Sequence, residues 1–216
     1  MRGTKQVIIR NAALSDRDDV SRLHVMAGPN VYTYCFGCDE EKAVAINRLL
    51  FETTDTFCSR QYYYVCGSPA GAEGLLGIYP GRDNEALGRN VGRYIRGIAG
   101  ITGPLPILKM MVRSGLSRRM PALGDDELYI EALAVYPQYR GHGVSSALLN
   151  FAFEECVRMK LSAVSLFAEI NNDRAIAVYH HKGFRVADSV ELPPRFRRHS
   201  LYGFHKMTAP AAAKPR

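Results

Sequence analysis

The stretch Val135-Tyr-Pro-Gln-Tyr-Arg-Gly-His-Gly-Val-Ser-Ser146 joins a strand to a helix through two closely spaced glycines. Ahead of it, Glu127 to Val135 reads as a strand, ended by Pro137. Behind it, Val144 to Lys160 carries Ala147, Leu148, Phe151, Ala152, Glu155 and Cys156 in phase with one buried helical stripe. Gly141 and Gly143 let the backbone turn tightly and approach a ligand closely. The helix starts at that turn, so its unpaired N–H groups and positive dipole end face the same space, which suits a pyrophosphate. Two simpler phosphate motifs are excluded. No Gly-Lys-Ser/Thr follows as in a P-loop, and Ser146 stands where GxGxxG needs its last glycine.

Working outward toward the C-terminus, Ala163 to Ala168 reads as a strand and Asn171 to Lys182 as a helix closed by Gly183. Phe184 to Val190 and Leu201 to Met207 are the last two strands. Toward the N-terminus, Gln6 to Arg10 is a β-branched strand. Ser15 is expected to cap a helix through Ser15-Asp-Arg-Asp18, with Val20, Leu23 and His24 at helical spacing and Pro29 as its stop. A second helix, Glu40 to Phe51, places Ala43, Ile46 and Leu50 on one face. Gln61 to Cys66 and Gly74 to Tyr79 form a hairpin across Gly67-Ser-Pro-Ala-Gly71. Antiparallel strands come first and a β-α-β-α-β run later, which predicts an α/β or mixed α+β class with a central mixed sheet. One domain is expected over 1–208, with an insertion at 82–124, followed by a disordered tail at 209–216.

Of 216 residues, 47% are hydrophobic, enough for a real core. The N-terminal stretch lacks the apolar core of a signal peptide, and no segment reaches the ~20 apolar residues of a membrane span. Cytoplasm is the expected location, with no membrane partner. Five cysteines fit a reducing compartment. Cys35-Phe-Gly-Cys38 invites a zinc or redox reading, but no second ligand pair follows, so no metal is expected. The formal net charge is +7, and the segment from Arg82 to Arg119 holds eight basic residues against Asp83 and Glu85, a net +6. Such a segment attracts anionic substrates, phosphate-bearing cofactors, nucleic acid or a membrane surface, and charge alone does not choose. Within it Leu105 to Leu116 is the expected helix, started by Pro104 or Pro106. The run Gly97-Ile-Ala-Gly-Ile-Thr-Gly-Pro-Leu-Pro-Ile-Leu108 is too apolar for a free loop and is expected to fold over the cleft or form a dimer contact.

Gln138-x-x-Gly141-x-Gly143 resembles the acyl-CoA pyrophosphate loop of the GNAT superfamily of N-acetyltransferases, and Tyr129-Ile-Glu-Ala-Leu-Ala-Val135 resembles its fourth strand. Downstream, Asn172-x(6)-Tyr179-x(3)-Gly183-Phe184 is similar to a second signature of that family, at the family's order and spacing. Together with the intervening helix these motifs cover about a quarter of the chain. Ser145 replaces the loop's usual third glycine. The resemblance implies a mostly antiparallel twisted sheet flanked by helices, with a helical insertion between the third and fourth strands. It implies transfer of an acetyl group from acetyl-CoA to a primary amine, by direct attack in a ternary complex. Leu133, Ala134 and Val135 would pair with the pantetheine arm like an added strand. The loop from Gln138, through the amides of Arg140, Gly141, His142, Gly143, Val144, Ser145 and Ser146, would hold the pyrophosphate. Asn172 would bond the pantetheine, and Tyr179, near the sulfur, would protonate the leaving thiolate.

Glu131 is the expected general base. It precedes Leu133 by two residues, which in a regular strand puts both on one face. A free amine is mostly protonated at neutral pH and cannot attack a thioester, so a carboxylate is needed, most of all at low pH. His142 fills a variable loop position, and Glu169, His180 and His181 have no assigned place on the cleft. Two other readings stay open: an acyl-CoA-binding protein without turnover, and a basic nucleic-acid module using Arg89, Arg93 and Arg96. No helix-turn-helix, zinc finger or aromatic RNA-binding pattern supports the latter, so no nucleic acid is expected. The acceptor is a small-molecule or peptide amine, and a homodimer is possible.

Overall fold

The computed structural model describes residues 8–68 and 71–212. Among them, β1 (Ile9–Asn11), β2 (Tyr63–Ser68), β3 (Gly71–Pro80), β4 (Glu127–Val135), β5 (Ala163–Glu169), β6 (Arg185–Glu191) and β7 (Gly203–Pro210) form one sheet. Their order is β1-β2-β3-β4-β5-β7-β6. Every neighbouring pair is antiparallel except β4–β5. That parallel pair is joined by a crossover helix, α7 (Val144–Arg158) in chain order, because parallel strands need a long connection. The expected mixed, mostly antiparallel sheet is therefore present. Gln6 and Val7 of the first expected strand, and the Pro69-Ala70 turn, lie outside the described residues. At the other end β7 runs two residues past the expected domain end: Ala209 pairs with Val164 and is fully buried.

The N-terminal helices are α1 (Arg17–Ala27), α2 (Pro29–Phe36) and α3 (Glu40–Phe51). Asp16, rather than Ser15, organises the start of α1: its Oδ2 accepts the Ala13 N–H at 2.7 Å while Arg10 holds both carboxylate oxygens. Asp39 caps α3 by accepting the Lys42 N–H at 2.9 Å. Between them lies α2, a helix that the sequence pattern does not mark. Pro29 does stop α1, but it also occupies the first position of α2, where its missing N–H costs nothing. Gly37 then closes α2 in the left-handed region (φ 66°), a conformation costly for other residues.

Two cores fill the two faces of the sheet. On one face α7 buries Leu148, Leu149, Ala152 and Cys156 against Leu76, Leu128, Ile130, Val164 and Met207. On the other, α1 and α3 bring Val20, Leu23 and Phe51 against Tyr63, Val65, Leu75, Ala132 and Ala134. The insertion lies between β3 and β4 and forms α4 (Asn84–Asn90), α5 (Ile95–Thr102) and α6 (Pro104–Arg113), three helices where the sequence pattern marked one. Its apolar run, expected over the cleft or in a dimer contact, packs in part on α2 and α3: Ile98 is fully buried with Ile46, Leu50 and Phe36, and Ile107 and Met110 pack against the same cluster. The insertion thus braces α2 and α3. Leu148 sits at the centre of the α7 core and is fully buried. Leu148→Ala should lower unfolding free energy by about 2–5 kcal/mol, read from the denaturant midpoint at unchanged slope.

Candidate active site

β4 contains one residue too many for its partner. Gly77 of β3 opposes Ala132 and the adjacent Ile78 opposes Ile130, so Glu131 is left between them as a bulge. The consequence shows in the packing. Leu128 and Ile130 belong to the core under α7, whereas Ala132 and Ala134 belong to the core under α1. The side-chain alternation changes face across Glu131. Leu133 and Val135 accordingly pack toward α7, while Glu131 meets residues of α1 and α2. The expectation that Glu131 and Leu133 share a face therefore fails, because it assumed an unbroken two-residue period.

The sheet also parts at this residue. β4 and β5 pair from Glu127↔Ala163 to Ile130↔Leu166 and no further. β5 remains paired with β7 as far as Glu169↔Phe204. Beyond Ile130, β4 thus runs beside an opening, with Leu133, Ala134 and Val135 along its edge.

Next comes the glycine loop. Pro137–Tyr139 makes a short 3-10 turn, and Gly141 (φ 79°) and Gly143 (φ 83°) both take the left-handed backbone region. A side chain at either would meet no atom within 4 Å, so the glycines are required by conformation and face open space. Gly143 leads into α7 with no side-chain cap, and the first helical bond is Ala147 N–H to Gly143 C=O at 2.9 Å. The amides of Val144, Ser145 and Ser146 therefore have no partner within the helix. Gln138, Arg140 and His142 are exposed and Ser145 and Ser146 half-buried. Arg140 turns back so that its Nε donates to the Val135 carbonyl at 3.1 Å. Asn172 caps α8 (Asp173–His181), its Oδ1 accepting the Ala175 N–H at 3.2 Å.

Glu131 lies in a buried polar cluster that the sequence reading missed. Tyr32 Oη of α2 donates to Glu131 Oε1 at 2.6 Å. His24 Nδ1 of α1 lies 3.4 Å from Oε2, an oxygen that makes no well-aligned hydrogen bond, and 2.5 Å from Tyr63 Oη. The His24 and Tyr32 rings are 4.3 Å apart, centre to centre. Burial pushes the Glu131 carboxyl up to about 8, with the Tyr32 hydrogen bond opposing it. Burial likewise pushes His24 down to about 3. Both groups are thus neutral at rest, and their approach is a polar contact rather than an ion pair. Only the helical spacing of His24 hinted at its buried place in the sequence; Tyr32 was hidden with α2.

Tyr179 of α8 packs against the α7-side core, its ring centre 5.8 Å from that of Phe184, and burial raises its hydroxyl to about 12. Burial raises the Tyr129 hydroxyl, and Glu131 and Tyr179 add to the rise. Glu169, at the end of β5, is also raised by burial, and Asn30 of α2 opposes that rise. Tyr34 of α2 packs at a tilt against Phe196 and edge-on against His199 of the β6–β7 connection, with ring centres 5.4 and 5.0 Å apart. α2 and that connection therefore flank the opening on the Glu131 side. Cys35 and Cys38 are both raised to about 11, by burial first, so neither is a thiolate at neutral pH.

Residues 109–184 match the model of the Acetyltransferase (GNAT) family. That span takes in the second half of α6, β4, the glycine loop, α7, β5 and α8. N-alpha-acetyltransferase 30 of Saccharomyces cerevisiae is 36% identical over 56 residues, 26% of this chain. The chain spans about a third (32%) of the length of that relative. An N-acetyltransferase from Staphylococcus aureus Mu50 has the same fold, with TM-score 0.67 and 20% identity, covering 94% of this chain and all of that one. The NatC complex bound to Gag peptide and CoA contains a similar chain, with TM-score 0.51 and 14% identity over 94% of this chain and 98% of that one. The segment that matches the GNAT family model thus lies on the bulged strand, the glycine loop and the two following helices, and the chain shares its fold almost end to end with the Staphylococcus aureus N-acetyltransferase.

Proposed function

We propose that the protein transfers an acetyl group from acetyl-CoA to a primary amine of a small molecule or peptide. The observation that carries this reading is the coincidence, at Glu131, of a buried carboxyl with the point where β4 leaves β5. The open edge at Leu133–Val135 suits the amide groups of a pantetheine arm. The uncapped start of α7 behind Gly141 and Gly143 suits a pyrophosphate. An amine entering between α2 and the β6–β7 connection would approach Glu131 from the opposite side.

In this reading the amine gives a proton to Glu131 and its nitrogen attacks the thioester carbonyl. The C–N bond forms, the tetrahedral oxyanion rests on a strand amide, and the C–S bond then breaks. Tyr179, fully protonated at working pH, gives its proton to the departing thiolate and regains one from the nitrogen, which sheds its second proton as the amide forms. No covalent enzyme intermediate is required.

Three measurements test the proposal. Acetyl-CoA should raise the melting temperature in proportion to the logarithm of its concentration, and Gly141→Val or Gly143→Val should abolish the rise in a folded protein. An unmoved midpoint at saturating acetyl-CoA would remove the proposal. A screen of amines, amino acids and peptide N-termini for acetyl-CoA consumption then identifies the acceptor. With it, Tyr179→Phe should lower kcat by about a hundredfold or more at little change in the acetyl-CoA KM.

The raised Glu131 carboxyl reverses the pH expectation drawn from sequence. Below about 8 most of it is already protonated and idle as a base. The ratio of kcat/KM for wild type to that for Glu131→Gln, which reports the free enzyme, should therefore grow about tenfold per pH unit up to ~8 and then level off. A ratio that is constant, or largest at low pH, would assign the base elsewhere.

The same group predicts a stability trend that needs no turnover. Between the unfolded value of 4.5 and the folded value of about 8, the unfolded chain has released a proton that the folded chain retains. Stability from this group is thus present at low pH and lost as pH rises through that window. His24 acts oppositely, but only between about 3 and 6.5. From pH 6.5 to 8, Glu131→Gln should gain about 2 kcal/mol relative to wild type, seen as a diverging denaturant midpoint.

A further inference from the structure

From Ala86 to Gly124 the chain has no Asp or Glu, yet it carries Arg89, Arg93, Arg96, Lys109, Arg113, Arg118 and Arg119. Part of this charge is answered locally. Arg89 pairs with Glu85 and Arg93 with Asp55, while Arg113 donates to the Tyr34 carbonyl and lies over its ring. Among the described residues no ion pair engages Arg96, Lys109, Arg118 or Arg119. The same segment exposes apolar surface in an ordered way. On α6, Leu105, Leu108, Met111 and Val112 are 62%, 60%, 69% and 77% exposed. Their spacing of three and four residues sets them on one helix face, opposite the Ile107 and Met110 that hold α6 to the core.

Beside this apolar face lies a basic hollow. Lys109 and Arg113, one turn apart on its flank, line a cavity of about 420 Å³ with Lys42 and His199. Asp39 is the one acidic group in that lining, and Lys42 faces it at 3.7 Å. His199 is lowered by burial and by the Arg113 and Arg198 cations, which reflects the density of positive charge there.

We propose that α6 docks peripherally on an anionic phospholipid surface, its four apolar side chains entering the acyl boundary and the adjoining basic groups meeting headgroup phosphates. A water-facing row of large apolar side chains within a segment free of acids is the composition of an interfacial helix. An apolar partner protein would satisfy the row but not the uncompensated cations around it; an anionic lipid surface satisfies both. This revises the expectation that no membrane is involved. Docking here is on the surface, and among the described residues no helix is long and apolar enough to cross a membrane.

Vesicle co-sedimentation of the full chain tests the proposal, comparing phosphatidylcholine alone with mixtures holding about 30% phosphatidylserine. Binding should favour the anionic vesicles by about tenfold or more and fall steeply as salt rises from roughly 0.05 to roughly 0.3 M. Leu108→Asp with Val112→Asp should lower it at least about tenfold, and Arg118→Glu with Arg119→Glu should flatten its salt dependence. These positions are exposed, so the variants should keep the wild-type circular dichroism spectrum. Val157→Asp, on the exposed side of α7, should bind as wild type does. Equal binding to neutral and anionic vesicles, or none to either, would overturn the proposal. So would a dimer, seen by light scattering, that Leu108→Asp with Val112→Asp dissolves in a protein without vesicle binding; the face would then serve a second copy.

Discussion

One extra residue in β4 sets up the site. The bulge at Glu131 lets a single strand serve both cores, with Ile130 facing α7 and Ala132 facing α1. It also aims a carboxyl toward α1 and α2 at the position where β4 and β5 stop pairing. A regular strand would send the side chain at 131 to one face and keep it there along its length. Bulges bend a strand and raise its local twist, so the redirected carboxyl and the parting of the sheet share one local cause.

The N-terminal helices complete what the bulge begins. His24 on α1 and Tyr32 on α2 reach the carboxyl. A helix as short as α2 is marginal alone, so its position has to come from packing. Val25, Ile46 and Leu50 on one side, and Ile98, Ile107 and Met110 of the insertion on the other, share a core with its Tyr32 and Phe36. The insertion touches the site through α2 rather than by covering the glycine loop.

Long elements with strong local punctuation were legible in the sequence. α3 begins and ends where read, because Asp39 and a clean apolar face mark it, and β4 has the bounds its composition suggests. The glycine loop was legible for the same reason, since two positive φ values leave little choice of residue. The bulge was not. Leu128, Ile130, Ala132 and Ala134 alternate without interruption, and only the register against β3, a long-range property, reveals that they face two ways. α2 was lost because Pro29 was read as a stop and not also as a first helical residue. The two insertion helices that the pattern did not mark, α4 and α5, are short and carry glycines, so their local preferences are weak and tertiary contacts decide them. With α2 unseen, neither the partners of Glu131 nor the burial that raises its carboxyl could be found.

That protonation state bears on how such a site can bind an amine. A buried carboxylate ordinarily needs a cation beside it. None of the groups around Glu131 supplies one, since burial keeps His24 uncharged and Tyr32 and Tyr63 are phenols. Protonation resolves the problem at rest: the shift of the carboxyl from 4.5 to about 8 corresponds to roughly 5 kcal/mol in favour of the neutral form. In the proposed reaction the arriving amine is itself a cation. Placed beside Glu131, it favours the charged carboxylate and lowers the carboxyl's pKa toward its ordinary value. The charge missing from the cluster is then brought by the substrate, and Glu131 becomes a competent base when there is an amine to deprotonate. A permanent positive side chain at His24 would hold the carboxylate charged in the empty site and compete with the ammonium for it. Burying an uncharged imidazole there keeps that place for the acceptor.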